Sequence, residues 1–456
     1  AAALAAWQPL AGLALAVFAL LLVVLRSVTM PALGRAAIVL AAVAAVMGPN
    51  LAVPGARSAF GFRVLALLIA LGLGAYLLAG GALRLPRGLG APAVLLALWS
   101  GWAAISIGWS RFPLAGVRWT VFLVLMSALT LGIAMAMRTR RGALWVLGAL
   151  GVAFVLAILV GVAEIATGFR LPTSALSNRV GAFAATSFFG NQNNFATYLT
   201  LTLPYLLALV VVFRDVRVRA AGLVAALVAI TMTLFTGSKA NVLAIGIILL
   251  VLVALLALDR GGRRLLVTAL VVVGLIAALI IPSLSGNGPI PLPQAAVTKL
   301  DFGTLQEQVQ TQSGSGAVRS SLLGQGIRLL DDSRGLGVGA GNAEGRIRAE
   351  AGFLGASNLH NWWLEVAVDT GIVGLALFVA LYLIMLRGQL GPARRAADPL
   401  LRYLGLAGSM ALAGFLAGSL GPSTMIAFAP MWVTFGLCLG TVVLAARARG
   451  EEGVAP

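Results

Sequence analysis

The chain has one cysteine, Cys438, and one histidine, His360, in 456 residues. The cysteine lies in an apolar run, so neither a disulfide framework nor a thiolate metal site can be built. With one imidazole and one thiol, a metal site would have to rest on carboxylates. The acidic pair Asp331-Asp332 would need other oxygen ligands to hold a divalent ion, so no metal and no cofactor is expected. Charge is scarce as well. Only 10% of residues are charged, and 14 Asp and Glu stand against 32 Lys and Arg. A chain this poor in charge and 60% hydrophobic belongs with polytopic membrane proteins. A net charge of +18 would suggest nucleic acid in a soluble protein. In a membrane protein it asks which loops carry it, and no nucleic-acid partner is expected.

Apolar runs of a length close to the roughly 20 residues that span a bilayer recur at 10–25, 36–53, 64–80, 91–107, 115–137, 143–165, 192–213, 220–235, 240–257, 265–282, 361–386, 400–419 and 426–446. The pattern predicts an all-α transmembrane bundle of about 12–13 spans. The first run lacks a small-residue cleavage site and is read as a span. The runs are also read as free of basic side chains, with acidic ones only near their ends, at Glu164, Glu365 and Asp369. Such spans lack the ionisable relay of a pump or proton-coupled transporter.

Alternate connections differ in charge. One set, from 26–35 through the tail after Arg447, holds 19 of the 32 basic residues and 5 of the 14 acidic ones. By the positive-inside rule this set is cytoplasmic. The other set contains the longest connection, 283–360, which then faces the periplasm and divides the chain into a bundle at 1–282, the loop, and C-terminal helices at 361–456. A structureless loop of this length would be unusual. Leu322, Leu323, Ile327 and Leu330 fall on or near one helical face and predict a helix over 318–330; 345–351 suggests a second.

The candidate chemistry lies where this loop re-enters the membrane. His360 is suited to general-base work near neutral pH, or serves as an interfacial histidine bonded to a loop carbonyl. Trp362 and Trp363 read as interface anchors. Arg319, Arg328, Arg334, Arg346 and Arg348 on the loop, and Lys239 in the short connection 236–239, are candidates for binding a lipid diphosphate or are solvated surface charge. The run 335–342 (GLGVGAGN) is a glycine-rich nest or a tight turn; it lacks the strand and acidic residue of a dinucleotide fingerprint. Asn191, Asn193 and Asn194 cap a helix or bind sugar hydroxyls.

Four pieces in order, Phe189-Gly190-Asn191-Gln192-Asn193-Asn194-Phe195-Ala196, Thr236-Gly237-Ser238-Lys239, the run 335–342, and His360-Asn361 through Asp369-Thr370-Gly371-Ile372-Val373-Gly374-Leu375, resemble the O-antigen ligase and O-antigen polymerase superfamily of bacterial membrane proteins. The resemblance covers about the second half of the chain. It implies about twelve spans, a large periplasmic loop, residence in the inner membrane, and metal-independent transfer of a glycan from undecaprenyl diphosphate. The acceptor would be the lipid A core in a ligase or another carrier-linked repeat in a polymerase. It implies that His360 and Arg319 are catalytic and that Lys239 stands where the family usually has arginine, keeping the charge without the bidentate fork. Asn361 would help to orient the acceptor, and Asn191, Asn193, Arg346 and Arg348 are further substrate-binding candidates. Two other classes compete: a transporter of lipid-linked glycan, and a glycosyltransferase using a loop acid such as Asp301, Glu307, Asp331 or Asp332.

Overall fold

The computed structural model describes residues 30–48, 52–53, 56–60, 65, 85–176, 184–258, 263–286, 288–311, 314–350, 357–422 and 425–452. The expected span at 10–25, and that at 64–80 apart from Leu65, lie outside the described residues. The described elements are α1 (Met30–Met47), a hairpin of β1 (Ala52–Val53) and β2 (Ala56–Phe60), α2 (Gly90–Ser106), α3 (Pro113–Ala136), α4 (Arg140–Thr167), α5 (Gln192–Val212), α6 (Val216–Thr236), α7 (Lys239–Ala257), α8 (Arg263–Leu284), four loop helices α9 (Gln294–Leu300), α10 (Thr304–Gln310), α11 (Gly314–Asp332) and α12 (Ala343–Glu350), then α13 (Trp362–Arg395), α14 (Pro399–Gly418) and α15 (Ala429–Glu452). Helices α2 to α8 and α13 to α15 are each long and apolar enough to cross a membrane, and each coincides with an expected run. The run at 36–53 ends early. Gly48 takes φ +53 just before Pro49, which disfavours helix in the residue ahead of it, and the hairpin follows.

The helices start and stop where the sequence supplies caps. Thr139, Asn191, Asp215 and Asp398 each accept a hydrogen bond from an amide of the first turn of α4, α5, α6 and α14, satisfying donors the helix cannot. Gly168 and Gly237 close α4 and α6 in the left-handed conformation.

The two sets of connections lie at opposite ends of the bundle. At the basic end Arg140 forks onto Asp398 at 2.8 and 2.9 Å, and Arg447 donates to the Arg138 carbonyl at 3.4 Å. At the loop end, the turns after α2, α6 and α14 meet the long loop and the start of α13. Two corrections fall on charge: Arg118 sits inside α3, near its loop end, and Arg402 inside α14, near its basic end, each within a run taken above as free of basic residues.

Helices α14 and α15 form the centre. α14 packs on α13, α5 and α7, and α15 packs on α3 and α13. Glycines let backbones approach closely in place of any water-driven force between helices: a Cβ on Gly405 would strike Ala393 and Pro392, and one on Gly414 would strike Ile248. Between α2, α13 and α15 lies an aromatic cluster of Trp99, Trp362, Phe378 and Trp432, with ring centroids 5.4 to 6.3 Å from Trp99. Each such pair contributes about 0.5–1.5 kcal/mol beyond its buried area. Trp362 and Trp363 are therefore not interface anchors. Trp362 is fully buried, and Trp363 packs on Phe378, Tyr382 and Phe415 while donating to Ser419 Oγ at 3.0 Å. On α4, by contrast, Leu144, Trp145, Val152, Val155 and Leu159 point outward, the surface that lipid covers.

The loop has its own small core. Leu322 and Leu329 of α11 pack with Val338, Ala343, Ile347, Leu359 and Val368. Helix α11 is longer than the expected 318–330, and its inward face differs from the one read from the sequence: Leu323 and Ile327 are exposed. This core is joined to the bundle by a break in α13. Gly371 has φ +71 and ψ −175, which separates 362–370 from the helix that continues to Arg395. The run 335–342 lies in that break, with left-handed glycines at 335, 337, 339 and 341. The Ile372 amide donates to the Gly335 carbonyl at 2.9 Å and the Val338 amide to the Val368 carbonyl at 2.8 Å. From α2 and the turn after it, Trp102 Nε1 donates to the Thr370 carbonyl at 2.6 Å and Trp109 Nε1 to the Gly337 carbonyl at 3.0 Å.

A methyl group at Gly371 would collide with the Leu336 carbonyl, and the left-handed backbone alone costs any other residue roughly 1–2 kcal/mol. Gly371→Ala is expected to lower the thermal midpoint clearly in detergent. Gly148→Ala on α4, where a Cβ meets nothing within 4 Å, should leave it within the roughly 0.5 kcal/mol of a neutral surface change. Equal midpoints in the two variants would contradict the docking described.

Candidate active site

His360 closes the loop just before α13 begins. Its φ is +50, a conformation that costs about 1–3 kcal/mol and persists only where surroundings impose it. They do so here. The His360 amide donates to Asn358 Oδ1 at 2.9 Å, and ring Nδ1 lies 3.3 Å from the Gly421 carbonyl in the turn after α14. A carbonyl only accepts, so this contact is made by the tautomer that carries its proton on Nδ1, which keeps a lone pair on Nε2. Burial first, and the Arg319 charge second, push the imidazole pKa below its ordinary value, against a weaker upward pull from the Gly421 and Pro422 carbonyls and Glu344.

Arg319, half-buried on the first turns of α11, is within charge–charge range of both His360 and Lys239. Lys239 is the first residue of α7 and donates to Thr304 Oγ1 of α10 at 3.3 Å. The structure thus brings His360, Arg319 and Lys239 together from three separate stretches. Two cations beside a helix N-terminus make a setting suited to a diphosphate.

Asn241 was not singled out in the sequence, although a lone amide in an apolar span is a signal. It is fully buried. Its Nδ2 donates to Thr197 Oγ1 at 3.1 Å and Ser238 Oγ at 3.0 Å, and its Oδ1 accepts from Thr200 Oγ1 at 2.8 Å. Thr197 also donates to the Gly418 carbonyl at 3.1 Å. This network ties α5 and the start of α7 to the turn that holds His360.

On another side of His360 is a cavity of about 340 Å³. Asn358 and Leu359, the two residues before the histidine, form part of its wall, and Arg118, Glu344, Glu365 and Asp369 supply its charge. Asp369 is already engaged. Its Oδ1 accepts from the Ala343 amide at 2.8 Å, while the neighbouring Asn342 amide donates to the Gly339 carbonyl at 3.0 Å. The Val338 amide likewise meets a carbonyl, that of Val368, so the glycine-rich run is a tight turn packed on α13.

The remaining candidates occupy other places. Asn361 caps α13, accepting from the Leu364 amide at 3.2 Å. Asn191 caps α5, accepting from the Asn193 amide at 2.8 Å, and Asn193 is half-buried in that first turn. No hydrogen bond among the described residues carries Asn191 or Asn193 to His360, Arg319 or Lys239. Arg348 is exposed and pairs with Glu344 at 2.7 Å one turn away, a surface pair of small consequence. Arg346 is half-buried on the same helix.

The family described as O-antigen ligase matches residues 221–379, a segment that holds Lys239, Arg319 and His360. The match is to a single continuous segment. It runs from the second turn of α6 through the loop to the first half of α13, so that Arg118, Asn191, Asn193 and Gly421 lie outside it. A curated relative, the teichuronic acid biosynthesis protein TuaE of Bacillus subtilis (strain 168), is 23% identical over 371 residues, covering 80% of this chain and 74% of its own. The chain is thus a multi-pass membrane protein whose segment 221–379 is similar to the O-antigen ligase family, with Lys239, Arg319 and His360 inside that segment.

Because His360 is the only histidine, histidine-selective ¹⁵N labelling reports on this ring alone. The expected spectrum shows the Nδ1-protonated tautomer at neutral pH and a midpoint below the ordinary 6.5. Removing the neighbouring cation in Arg319→Gln stabilises the imidazolium, so the midpoint should rise. A midpoint at or above 6.5 that ignores the Arg319 change would contradict this geometry.

Proposed function

We propose that the protein transfers a glycan from undecaprenyl diphosphate to the lipid A core oligosaccharide, without a metal, on the periplasmic side of the inner membrane. The observation that carries this reading is that Arg319 lies within charge–charge range of both His360 and Lys239, all three inside the segment that matches the O-antigen ligase family. Division of the chain into a bundle at 1–282, a periplasmic loop at 283–360 and C-terminal helices at 361–456 belongs to the same reading.

The chemistry follows from the groups present. Arg319 and Lys239 neutralise the charge that builds on the departing diphosphate, the electrostatic stabilisation a metal supplies elsewhere. His360 Nε2 takes the proton from an acceptor hydroxyl. That oxygen forms its bond to the anomeric carbon as the bond from that carbon to the diphosphate oxygen breaks, and the electron pair leaves with undecaprenyl diphosphate. A single displacement from the opposite face inverts the anomeric centre. The polyprenyl tail stays in the membrane. An apolar cavity of about 160 Å³ between α1, α4, α5 and α15, walled by Phe154, Leu201, Leu206 and Leu437, offers lateral room of the kind such a tail needs.

TuaE supports a second reading. Its name places it in the biosynthesis of teichuronic acid, and on that likeness the acceptor is another carrier-linked glycan, making the reaction a polymerisation at the same site.

The test is transfer in nanodiscs from undecaprenyl-diphosphate glycan, offered either lipid A core or a second carrier-linked unit, with and without EDTA. Product should form in EDTA. His360→Ala should lower turnover at least about a hundredfold, the usual minimum for a general base, and Arg319→Ala should lower it as well. Lipid A product supports ligation, and elongated carrier-linked glycan supports polymerisation. Full turnover by His360→Ala would remove the proposed mechanism.

A further inference from the structure

We infer that the cavity bounded by Arg118, Glu344 and Glu365 is a binding site for a neutral, hydroxyl-rich sugar residue, the acceptor end of the glycan; the word acceptor rests on the function proposed above, the site itself does not. The first observation is Glu365. It is 6% exposed, yet its Oε2 is buried and has no hydrogen-bond partner among the described residues. Burying a carboxylate oxygen without a donor is costly, and such a group is kept where something else supplies the donor. Glu365 forms part of the cavity wall. A sugar hydroxyl has the required O–H.

The second observation is the make-up of the walls. Arg118 is exposed at the mouth and has no hydrogen bond or ion pair among the described residues. Glu344 stands at the same cavity, with its side chain 45% exposed. Carboxylates accept from hydroxyls, and the guanidinium donates to hydroxyl and ring oxygens, so the polar lining matches both halves of a polyol. Trp119 and Phe122 line the side toward α3 and offer apolar surface to the C–H face of a pyranose. Asp369, bonded to the Ala343 amide, ties one wall to the start of α12. At about 340 Å³, the cavity is at the lower end of the range for small-ligand pockets, roughly 300–1,000 Å³, and takes one sugar ring, not a long chain.

The third observation is position. Asn358 and Leu359 link this wall directly to His360, while Arg319 and Lys239 act from the loop helices and α7. His360 therefore stands between a cationic side and a carboxylate side. A diphosphate is favoured at the first and repelled at the second. Glu344 is paired with Arg348 and Asp369 with the Ala343 amide, so it is the unpartnered Oε2 of Glu365, which needs a donor that a sugar carboxylate lacks, that disfavours an acidic sugar in the cavity.

The test uses the full chain in nanodiscs, free of sugar-based detergent, and ligand-observed saturation-transfer NMR with methyl α-glucopyranoside and the corresponding methyl glucuronoside. Saturation of the glucoside ring protons is expected, with a weaker signal from the glucuronoside. Arg118→Ala and Glu365→Leu should each weaken the glucoside signal about tenfold, the share of a hydrogen bond to a charged group. Arg118 is exposed, so Arg118→Ala should meanwhile melt like wild type. Undecaprenyl phosphate binding, measured in the same samples, should be unchanged in both variants and fall in Lys239→Ala. Failure of the glucoside to bind wild type, binding that both variants retain, or stronger binding of the glucuronoside would overturn the site. Loss of undecaprenyl phosphate binding alone would instead count against the proposed donor and leave the sugar site standing.

Discussion

The structure depends on how one carboxylate and one glycine close the join between loop and bundle. Asp369 accepts the Ala343 amide at the start of α12, and two residues later Gly371 breaks α13 so that the run 335–342 can lie against it. Neither device works alone. Without the break, the carbonyls of Gly335 and Leu336 would have no room. Without the carboxylate, the Ala343 amide would be buried without its acceptor, a cost of about 1–3 kcal/mol. Together they fix the loop core on the membrane helices, and with it the position of α11, which carries Arg319, relative to His360.

Electrostatics is organised around that join. The cations at 239 and 319 arrive on α7 and α11, and the carboxylates at 344 and 365 arrive on α12 and α13. His360 stands between them, held by the turn after α14. That turn is in turn held through Gly418 by Thr197 of α5, within the buried network centred on Asn241. A buried network whose members are all bonded rigidifies its surroundings, and this one joins the helix that starts at Lys239 to the turn that orients the imidazole.

Much of this was legible in the sequence, and the reasons are physical. Run length fixed the ten long helices, because the bilayer sets one length for all of them. The charge alternation of the connections matches the two ends of the bundle. His360, Arg319 and Lys239 stood out through scarcity of their type or through the family resemblance. What periodicity could not tell was direction. Leu323 and Ile327 share a helical stripe with Leu322, yet point outward, because the loop core is small and has only one face. Trp362 and Trp363 look like interface anchors by position, yet the re-entrant start of α13 carries them into the aromatic centre. Arg118 was overlooked within an apolar run, and Glu365 gained its interest only when its second oxygen proved to have no partner. Asn191 and Asn361 have oxygens spent on helix caps, which sequence alone cannot separate from sugar contacts.

The central claim is that the cationic side of His360 receives the diphosphate and leaves the carboxylate cavity open to a sugar. The most direct measurement is a cryo-EM map of the full chain in nanodiscs with undecaprenyl diphosphate bound. The account predicts diphosphate density contacting both Arg319 and Lys239, next to His360, with the cavity at Glu365 free of phosphate. Diphosphate density remote from Arg319, or lodged against Glu344 and Glu365, would contradict it.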